Sequence, residues 1–302
     1  YMQPKMIEMF KRGGKTYALP AGLVTQAMII NLDLLDAIGY KVPENWTIDD
    51  FRTMAKLVKA KALGKYANFL FAQNQSGDYF WMNWFGSFGV KFYSEGYKES
   101  TFEKTGGAKG LEWFMEMIQN GWVPEGAGNL NDDDALLEVS KGNIAAHGLY
   151  MGHFPILKSA VDQGIIDKPI NMKYVSFPNN APACMQLGVL VGHKSKDEKR
   201  NMAIAKFLRF MTSVETQTMD VLAQGSVPTC YGVTAKPDNP LWPAQIAVGQ
   251  KNGLYDLGLA LPQYGEIRKQ MYPLLQKMYA GELTPVQVAK MYTENINKIL
   301  SK

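Results

Sequence analysis

The stretch from Thr47 to Ala72, TIDDFRTMAKLVKAKALGKYANFLFA, contains a predicted helix followed by a predicted buried strand. Thr47 offers a side-chain oxygen to the free N–H groups of a first helical turn, and Asp50 resembles the acidic partner of a capping box. The apolar residues that follow fall on one face of this helix: Ile48, Phe51, Met54, Ala55 and Val58. The apolar run from Tyr66 to Ala72 then predicts the strand. A helix that alternates with a buried strand is typical of α/β architecture.

The same alternation extends in both directions along the chain, with Gly and Pro between the segments. Extended runs are predicted at Lys15–Leu19, Val24–Asn31, Asn143–Leu149, Met172–Phe177 and Leu187–Val191. Further helices are predicted at Gly107–Asn120, Asp132–Lys141, Asp197–Met211 and Val214–Gln224. A last helix starts at Thr284-Pro285, and its inward stripe is predicted to be Val288, Ala289, Tyr292, Ile296 and Ile299. We therefore expect an α/β protein.

Length and composition narrow the class of protein. The chain has 302 residues, which suggests two lobes at about 100–200 residues per domain. With 46% apolar and 20% charged residues it has ordinary globular composition, which excludes a fibre or a disordered tail. Its 32 basic and 28 acidic residues are scattered, so the charge of +4 does not indicate a nucleic-acid partner. The most apolar segment, Ala27–Ile30, is far too short to span a bilayer.

Motifs for phosphate or metal chemistry are incomplete in this sequence. Gly14-Lys15-Thr16 looks like the end of a phosphate-binding loop, but Met9 stands where that loop needs a glycine. The histidines and cysteines are too few and too scattered for a zinc site or a disulfide framework: His147, His153, His193, Cys184 and Cys230. We expect no metal and no cofactor.

The segment Asp78–Phe85, DYFWMNWF, carries five aromatic rings within seven positions. These rings cover more than one face of any helix, so some of them are expected to point away from the core. Phe80 and Phe85 are interpreted as core residues, whereas Tyr79 and Trp81 fit a core role and a ligand platform equally well. A flat ring beside hydrogen-bonding side chains is what a sugar site needs, since sugar C–H faces stack on it.

Six short motifs occur in the order found in a known family. They are Gly14–Pro20 (GKTYALP), Met28–Leu35 (MIINLDLL), Gly39–Phe51 (GYKVPENWTIDDF), Lys141–Ala146 (KGNIAA), Gly225–Thr229 (GSVPT) and Gly281–Pro285 (GELTP). On these motifs the chain, from about Lys15 to its end, resembles the extracellular solute-binding proteins of ABC importers. This family includes maltose-binding protein and many other sugar binders.

The resemblance implies a two-lobed periplasmic-binding-protein-like α/β fold with a hinge and an inter-lobe cleft. Residues 1–26 would be a remnant of the N-terminal lobe with the first hinge strand, and residues 27–183 the C-terminal lobe. Residues 184–250 would form the second hinge and return to the N-terminal lobe, and residues 251–302 the closing helices on the C-terminal lobe. Hinge crossings are expected at Ala21–Gln26 and Cys184–Leu187. The family's opening βαβ units have no counterpart here, so we expect the N-terminal part of the first lobe to be missing.

The same resemblance nominates ligand contacts. Tyr79 matches the first aromatic contact of the family, and Tyr150, His153 or Phe154 could occupy the second. Tyr264 or Arg268 could occupy the third, and an arginine there could bind a carboxylate or paired hydroxyls or could simply lie on a helix surface. The full set of candidate ligand-binding residues is Asp78, Tyr79, Trp81, Trp84, Tyr150, His153, Gln263, Tyr264 and Arg268.

These residues lead to a functional expectation. The chain would capture an oligosaccharide or a sugar-like solute outside the membrane, without catalysis, and deliver it to the membrane permease of an ABC importer. It would be an extracytoplasmic monomer, either periplasmic or anchored to the cell surface as a lipoprotein. A carbohydrate-active enzyme with a dispersed acid/base pair is one alternative. A binder of a peptide, polyamine or metal, and an adhesion protein, are the others.

Overall fold

The computed structural model describes residues 2, 4–8, 10–12, 14–149, 151–252, 254–255, 257–259 and 261–302. Within these ranges, side chains are described at all positions except 5, 6, 12, 151, 155, 184–189 and 254. The candidate residue Tyr150 lies outside the described residues.

Helices and strands alternate along the described chain, which confirms the predicted α/β class. The strands are β1 (Lys11–Arg12), β2 (Lys15–Thr16), β3 (Leu19–Thr25), β4 (Ala27–Asn31), β5 (Ala146–Leu149), β6 (Met172–Val175), β7 (Ala183–Leu190) and β8 (Leu254–Tyr255). The helices are α1 (Pro4–Glu8), α2 (Leu32–Ile38), α3 (Ile48–Lys61), α4 (Asp78–Ser87), α5 (Gly107–Gln119), α6 (Asp132–Ser140), α7 (Phe154–Ser159), α8 (Glu198–Met211), α9 (Val214–Gln224), α10 (Trp242–Asn252), α11 (Tyr264–Ile267), α12 (Met271–Tyr279) and α13 (Pro285–Leu300).

Two three-stranded sheets organise the chain, beside the short β1–β2 pair. In one sheet β4 lies between β5 and β6 and is antiparallel to both. In the other, β7 lies between β3, to which it is antiparallel, and β8, to which it is parallel. The chain passes from β3 to β4 through the buried residue Gln26. The two segments predicted as hinge crossings pair directly, with Thr25 opposite Met185 and Leu23 opposite Leu187.

A large aromatic core packs against one side of the β4 sheet. Phe51 meets Trp84 edge to face, with ring centres 4.9 Å apart, and Phe85 meets Phe102 in the same way at 4.9 Å. The capping box predicted at Thr47 is present at the start of α3. Every residue of the predicted inward stripe of α13 is buried. Burial of this many rings removes a large apolar area from water, which stabilises this part of the chain.

Three predicted strands differ from the structure, and one of them, Val24–Asn31, is divided at Gln26 between β3 and β4. The run from Tyr66 to Ala72 is largely buried, but its only bridge within the described residues joins Tyr66 to Ile144. Its backbone donors bind loop carbonyls instead, including Ala72 N–H to Ala127 O at 2.8 Å. The strand predicted at Lys15–Leu19 is interrupted, because β2 ends at Thr16 and β3 begins at Leu19. Pro20 lies in β3 beside a register shift, where a missing N–H is tolerated.

Helices α8 and α9 flank the β3–β7 sheet and bury little of their apolar surface. In α8, which the structure describes throughout, no residue is buried. The most exposed apolar side chains of the two helices are Met202, Phe207, Phe210, Val214, Met219 and Leu222. Among the helices that the structure describes, none combines the length and the apolar character needed to cross a lipid bilayer.

Candidate functional site

The start of α4 is shaped by a short turn and one glycine. The Asn74 side chain accepts a hydrogen bond from Ser76 N–H at 2.8 Å, which begins the 3-10 turn Gln75–Gly77. A Cβ added at Gly77 would lie 2.0 Å from the Trp81 ring, so only glycine fits there. Helix α4 then begins at Asp78, whose carboxylate accepts from Tyr79 N–H at 2.8 Å. This local structure places Asp78 and Tyr79 together at the helix N-terminus, where a negative charge is favourable.

Asp78 forms a bidentate ion pair with Arg268, the C-cap residue of α11. Arg268 Nη2 donates to Asp78 Oδ1 at 2.8 Å, and Arg268 Nε donates to Asp78 Oδ2. The Asp78 side chain is 3% exposed and that of Arg268 is 24% exposed, so the guanidinium is the accessible side of the pair. Burial raises the pKa of Asp78, and the ion pair with Arg268 opposes that rise. The pair joins α4 to a segment 190 residues away in sequence.

Two half-buried tyrosine rings lie against the Arg268 guanidinium. Its central carbon is 4.7 Å from the centre of the Tyr79 ring and 5.7 Å from the centre of the Tyr264 ring. Tyr264 Oη donates to Tyr79 Oη at 3.4 Å. Burial raises the pKa of the Tyr264 phenol, which therefore stays protonated. We call Asp78, Tyr79, Tyr264 and Arg268 the tyrosine–arginine cluster. It combines apolar ring faces with directional N–H and O–H groups.

The tyrosine–arginine cluster is hydrogen-bonded to the junction between the two sheets. Asn83 Nδ2 donates to Tyr79 O at 2.6 Å and to Gln26 Oε1 at 3.0 Å. Gln26 is the buried residue between β3 and β4, and the preceding carbonyl, of Thr25, accepts from Gln245 Nε2 of α10. Buried amides of this kind need partners, because an unpaired one costs about 1–3 kcal/mol. The position of α4 is therefore coupled to the position of the strands that link the sheets.

Trp81 and Trp84 were predicted as ligand contacts, but the structure places both in the core. Trp81 is 1% exposed, and its Nε1 donates to Phe71 O at 2.6 Å. Trp84 is buried between Phe51 and Phe177, with ring centres 4.9 and 5.4 Å away. Helix α4 is surrounded by apolar neighbours on several sides, so its extra rings pack inward. We therefore remove both tryptophans from the candidate site.

The other predicted residues occupy mixed positions. Gln263 is half-buried and immediately precedes α11, next to Tyr264. His153 is buried at the end of the 3-10 turn Met151–His153, which lies close to α9. Burial lowers the pKa of His153 to about 4 despite the opposing effect of Asp132, so the imidazole is neutral at pH 7. Asp78, Tyr79, Tyr264 and Arg268 are therefore the predicted residues that the structure brings into mutual contact.

Sequence reasoning missed two groups that support this region. Asn83 and Gln26 are polar residues within strongly apolar runs, and that exception was the available signal. Trp242, at the start of α10, was also missed. It is half-buried, donates from Nε1 to Gly225 O at 2.9 Å, and packs against the same apolar cluster as Tyr79. Its position relative to Tyr79 depends on long-range packing, which no local pattern indicated.

Two larger grooves of the described surface lie elsewhere. One of 930 Å³ runs between residues 118–129 and α12, and one of 790 Å³ lies beside β6 and α10. Neither contains a guanidinium stacked on half-buried rings. A small space of 10 Å³ lies beside Asp78, Tyr264 and Arg268. Among the residues that the structure describes, no three His, Cys, Asp or Glu side chains are grouped so as to hold a metal ion.

Comparison with known families finds one match. The profile of the bacterial extracellular solute-binding proteins matches residues 3–248, which is most of the chain. A search of curated protein sequences finds no match.

Three solved structures of similar fold share less than 20% sequence identity with this chain. The GacH receptor of Streptomyces glaucescens, studied unliganded and with acarbose, has a TM-score of 0.78 at 16% identity, over 100% of this chain and 75% of that one. A solute-binding protein of an ABC transporter from Thermotoga lettingae, bound to α-D-tagatose, has a TM-score of 0.81 at 18% identity, over 99% and 76%. An ABC substrate-binding protein of Listeria monocytogenes in complex with cycloalternan has a TM-score of 0.75 at 19% identity, over 99% and 76%. The fold is thus the two-lobed one that the sequence predicted.

Proposed function

The chain belongs to the bacterial extracellular solute-binding protein family and is a solute-binding component of an ABC transporter, and we propose that its solute is a sugar or an oligosaccharide. The observation that carries this proposal is the tyrosine–arginine cluster. Tyr79 offers a half-buried ring, Tyr264 offers a second, and Arg268 offers N–H donors beside them. Sugar rings have apolar C–H faces that stack on aromatic rings and hydroxyls that need directional partners.

The structural neighbours support the same ligand class. The proteins from Thermotoga lettingae and Listeria monocytogenes were solved with a monosaccharide and a cyclic saccharide, and the GacH receptor with acarbose. Their sequence identity to this chain is below 20%, so the shared property is the fold. The local chemistry of the tyrosine–arginine cluster is what brings a saccharide ligand to this chain.

We propose that binding is coupled to hinge closure. Residues 27–183 with 251–302 form one lobe in this proposal, and β3, β7 and residues 188–250 contribute the hinge and part of the other. The chain of hydrogen bonds from Gln26 through Asn83 to Tyr79 links the hinge to the ligand platform. A ligand that rests on Tyr79 and contacts the opposite lobe would favour the closed arrangement. The closed protein would then deliver the sugar to a membrane permease, outside the cytoplasm, in the periplasm or on a lipid anchor.

We propose binding without catalysis. Glycoside hydrolysis needs one carboxylic acid that can donate a proton and one carboxylate that acts as a base or nucleophile. Asp78, the buried carboxylate of the cluster, is engaged by Arg268 through two hydrogen bonds and is therefore poorly placed to donate a proton. Incubation with neutral oligosaccharides should generate no new reducing ends. Turnover at a rate that follows protein concentration would instead identify an enzyme.

Calorimetry with a panel of neutral sugars, beside thermal unfolding, tests the proposal. A ligand that binds only the folded protein should raise its stability by about 2.7 kcal/mol at a hundredfold excess over Kd. Tyr79→Ala should weaken binding by about 1–3 kcal/mol, the scale for removing a stacking ring, while the unliganded protein unfolds at nearly the same temperature. Tyr79→Phe is the matched control, because it keeps the ring and should keep most of the affinity. A panel that causes no shift in unfolding temperature would contradict a sugar ligand.

A further inference from the structure

We infer that the tyrosine–arginine cluster selects uncharged sugar units and discriminates against acidic ones, because Asp78 already neutralises the guanidinium that faces the ligand. This inference rests on the proposed sugar-binding function and specifies the class of sugar. An arginine in a binding site usually favours carboxylate or phosphate groups, which it binds through two parallel hydrogen bonds. Here the carboxylate partner belongs to the protein itself.

Asp78 occupies one edge of the Arg268 guanidinium. Arg268 uses Nε and Nη2, one full edge of its guanidinium, to bind both oxygens of Asp78. Nη2 also donates to Gln75 O at 3.3 Å. A ligand carboxylate that bound this edge would have to displace Asp78, which is 3% exposed and would then be left as a buried, unpaired charge. Leaving a buried charge without its partner is strongly destabilising, and a partly exposed replacement pair does not offset that loss.

The remaining N–H donors of Arg268 are those of Nη1. A guanidinium has five N–H groups, and the hydrogen bonds within the described residues use those of Nε and Nη2. The two N–H groups of Nη1 are left on a side chain that is 24% exposed. Two divergent N–H donors beside a tyrosine hydroxyl suit the hydroxyl or ring oxygens of a neutral sugar. They supply hydrogen bonds, while the Asp78–Arg268 pair has no net charge that would attract an anion.

The charged groups of the tyrosine–arginine cluster compensate each other. Asp78 and Arg268 sum to zero. Of the other charged groups near the cluster, Asp132 accepts from Ser76 Oγ at 2.9 Å, and Glu266 of α11 is paired with Lys302 at 2.6 Å. His153, beside Asp132, is neutral at pH 7. An acidic sugar unit would therefore meet an arginine whose charge Asp78 already compensates, whereas a neutral unit does not depend on that charge.

Matched sugar pairs test the inference on the whole chain. The probes are maltotriose, cellotriose and laminaritriose, each compared by calorimetry with the same trisaccharide oxidised at C6 of its terminal glucose to a glucuronic acid. We expect the neutral member of the best-bound pair to bind at least about tenfold more tightly, a difference of about 1.4 kcal/mol. Its affinity should change less than about twofold between about 20 mM and 0.5 M NaCl, because no net charge is screened.

Asp78→Asn sharpens the test, because it keeps the size of the side chain and removes the compensating charge. The preference for the neutral sugar should fall about tenfold or reverse, and binding of the acidic sugar should become sensitive to salt. The matched control is Glu116→Gln, which removes the carboxylate from a second bidentate pair, with Arg52 beside the Trp113 ring, outside the cluster. That variant should keep the original preference. If Asp78→Asn does not fold, the salt series on the unmodified protein still decides.

The binding results separate the preference for neutral sugars from sugar binding itself. Equal or tighter binding of the acidic sugar by the unmodified protein, with affinity that falls as salt rises, would overturn the inference and leave sugar binding intact. Failure of every neutral and acidic sugar to bind would overturn the proposed function and the inference with it.

Discussion

Helices α13 and α8 have similar lengths and similar amphipathic patterns, yet they differ completely in burial. Helix α13 buries Val288, Ala289, Tyr292, Ile296 and Ile299 and packs against α5. Helix α8 buries none of its residues, and Phe207 in its middle is 58% exposed. An apolar stripe therefore predicts that a helix forms, but it does not say whether a partner covers the stripe. Stability follows the covered area and not the pattern.

We expect the largest difference in stability when one aromatic side chain is removed from each of the two helices. Tyr292→Ala on α13 should reduce the free energy of unfolding by about 3–5 kcal/mol, because the ring is buried and lies 4.9 Å from Phe102. Phe207→Ala on α8 should change it by less than about 0.5 kcal/mol. Urea unfolding of both variants measures the difference. Equal losses would mean that α8 is covered in solution.

The stability of the protein should also depend on pH, because a histidine is buried in its well-packed core. His147 lies in β5, stacks on Phe80, and shares a hydrogen bond of 3.2 Å between Nδ1 and Asn68 Oδ1. Burial lowers the pKa of His147 from 6.5 to about 3. The unfolded chain therefore takes up this proton more readily than the folded one, so stability present above pH 6.5 is lost as pH falls toward 3.

Between pH 7 and pH 5 this loss should reach about 2 kcal/mol for His147. Urea unfolding at a series of pH values measures it, and His147→Gln should flatten the slope in this range. A wild-type stability that is constant from pH 7 to pH 5 would show that the imidazole is not held neutral in the folded protein.

A smaller effect compares the N-caps of the same two helices. Thr284 accepts from Gln287 N–H at 3.3 Å at the start of α13, and Asp197 accepts from Lys199 N–H at 2.8 Å at the start of α8. Thr284→Ala should lower the global free energy of unfolding by about 1 kcal/mol. Asp197→Ala should mainly speed hydrogen exchange within α8, since a helix with little burial can open locally. Global destabilisation of equal size by both variants would contradict this division.

We expect the smallest change in stability from substitutions on the exposed apolar face of α8. Replacing Phe207 and Phe210 together by serine should leave the unfolding free energy within about 0.5 kcal/mol of its original value. The same double variant should bind less of a hydrophobic dye and associate less at high concentration, because it removes much of the apolar face of α8. Unchanged dye binding would place the accessible apolar surface somewhere else.

The sequence predicted the regular elements well where the signal is local. The capping box at Thr47, the start of α13 at Thr284-Pro285, the bounds of α9 and the stripe of α13 all depend on residues within one or two turns of each other. The segment from Tyr66 to Ala72 shows the limit. Its apolar character correctly indicated burial, but its hydrogen-bond partners lie in a loop near Trp122 and Ala127, which a local pattern does not specify.

The candidate site divides in the same way. The resemblance to a family nominated Tyr79, Tyr264 and Arg268, because their places in the order of motifs are readable from the chain. It could not separate Tyr79 from Trp81, two residues away in the same helix. Only packing does so, since the Trp81 indole is buried against Gly77 and the Phe71 carbonyl while the Tyr79 ring is only half-buried.

Taken by itself, the sequence determined the α/β class, most of the helices and the family of solute-binding proteins, because helical periodicity, capping and motif order are properties of neighbouring residues. The tertiary structure alone decided that Asp78 neutralises Arg268 across 190 residues and that two tryptophans belong to the core. It also decided that α5 packs against the apolar stripe of α13, whereas α8 buries none of its residues within the described chain. The physical reason is that charge compensation and burial depend on which distant side chains meet, and a chain specifies those contacts only through the complete fold.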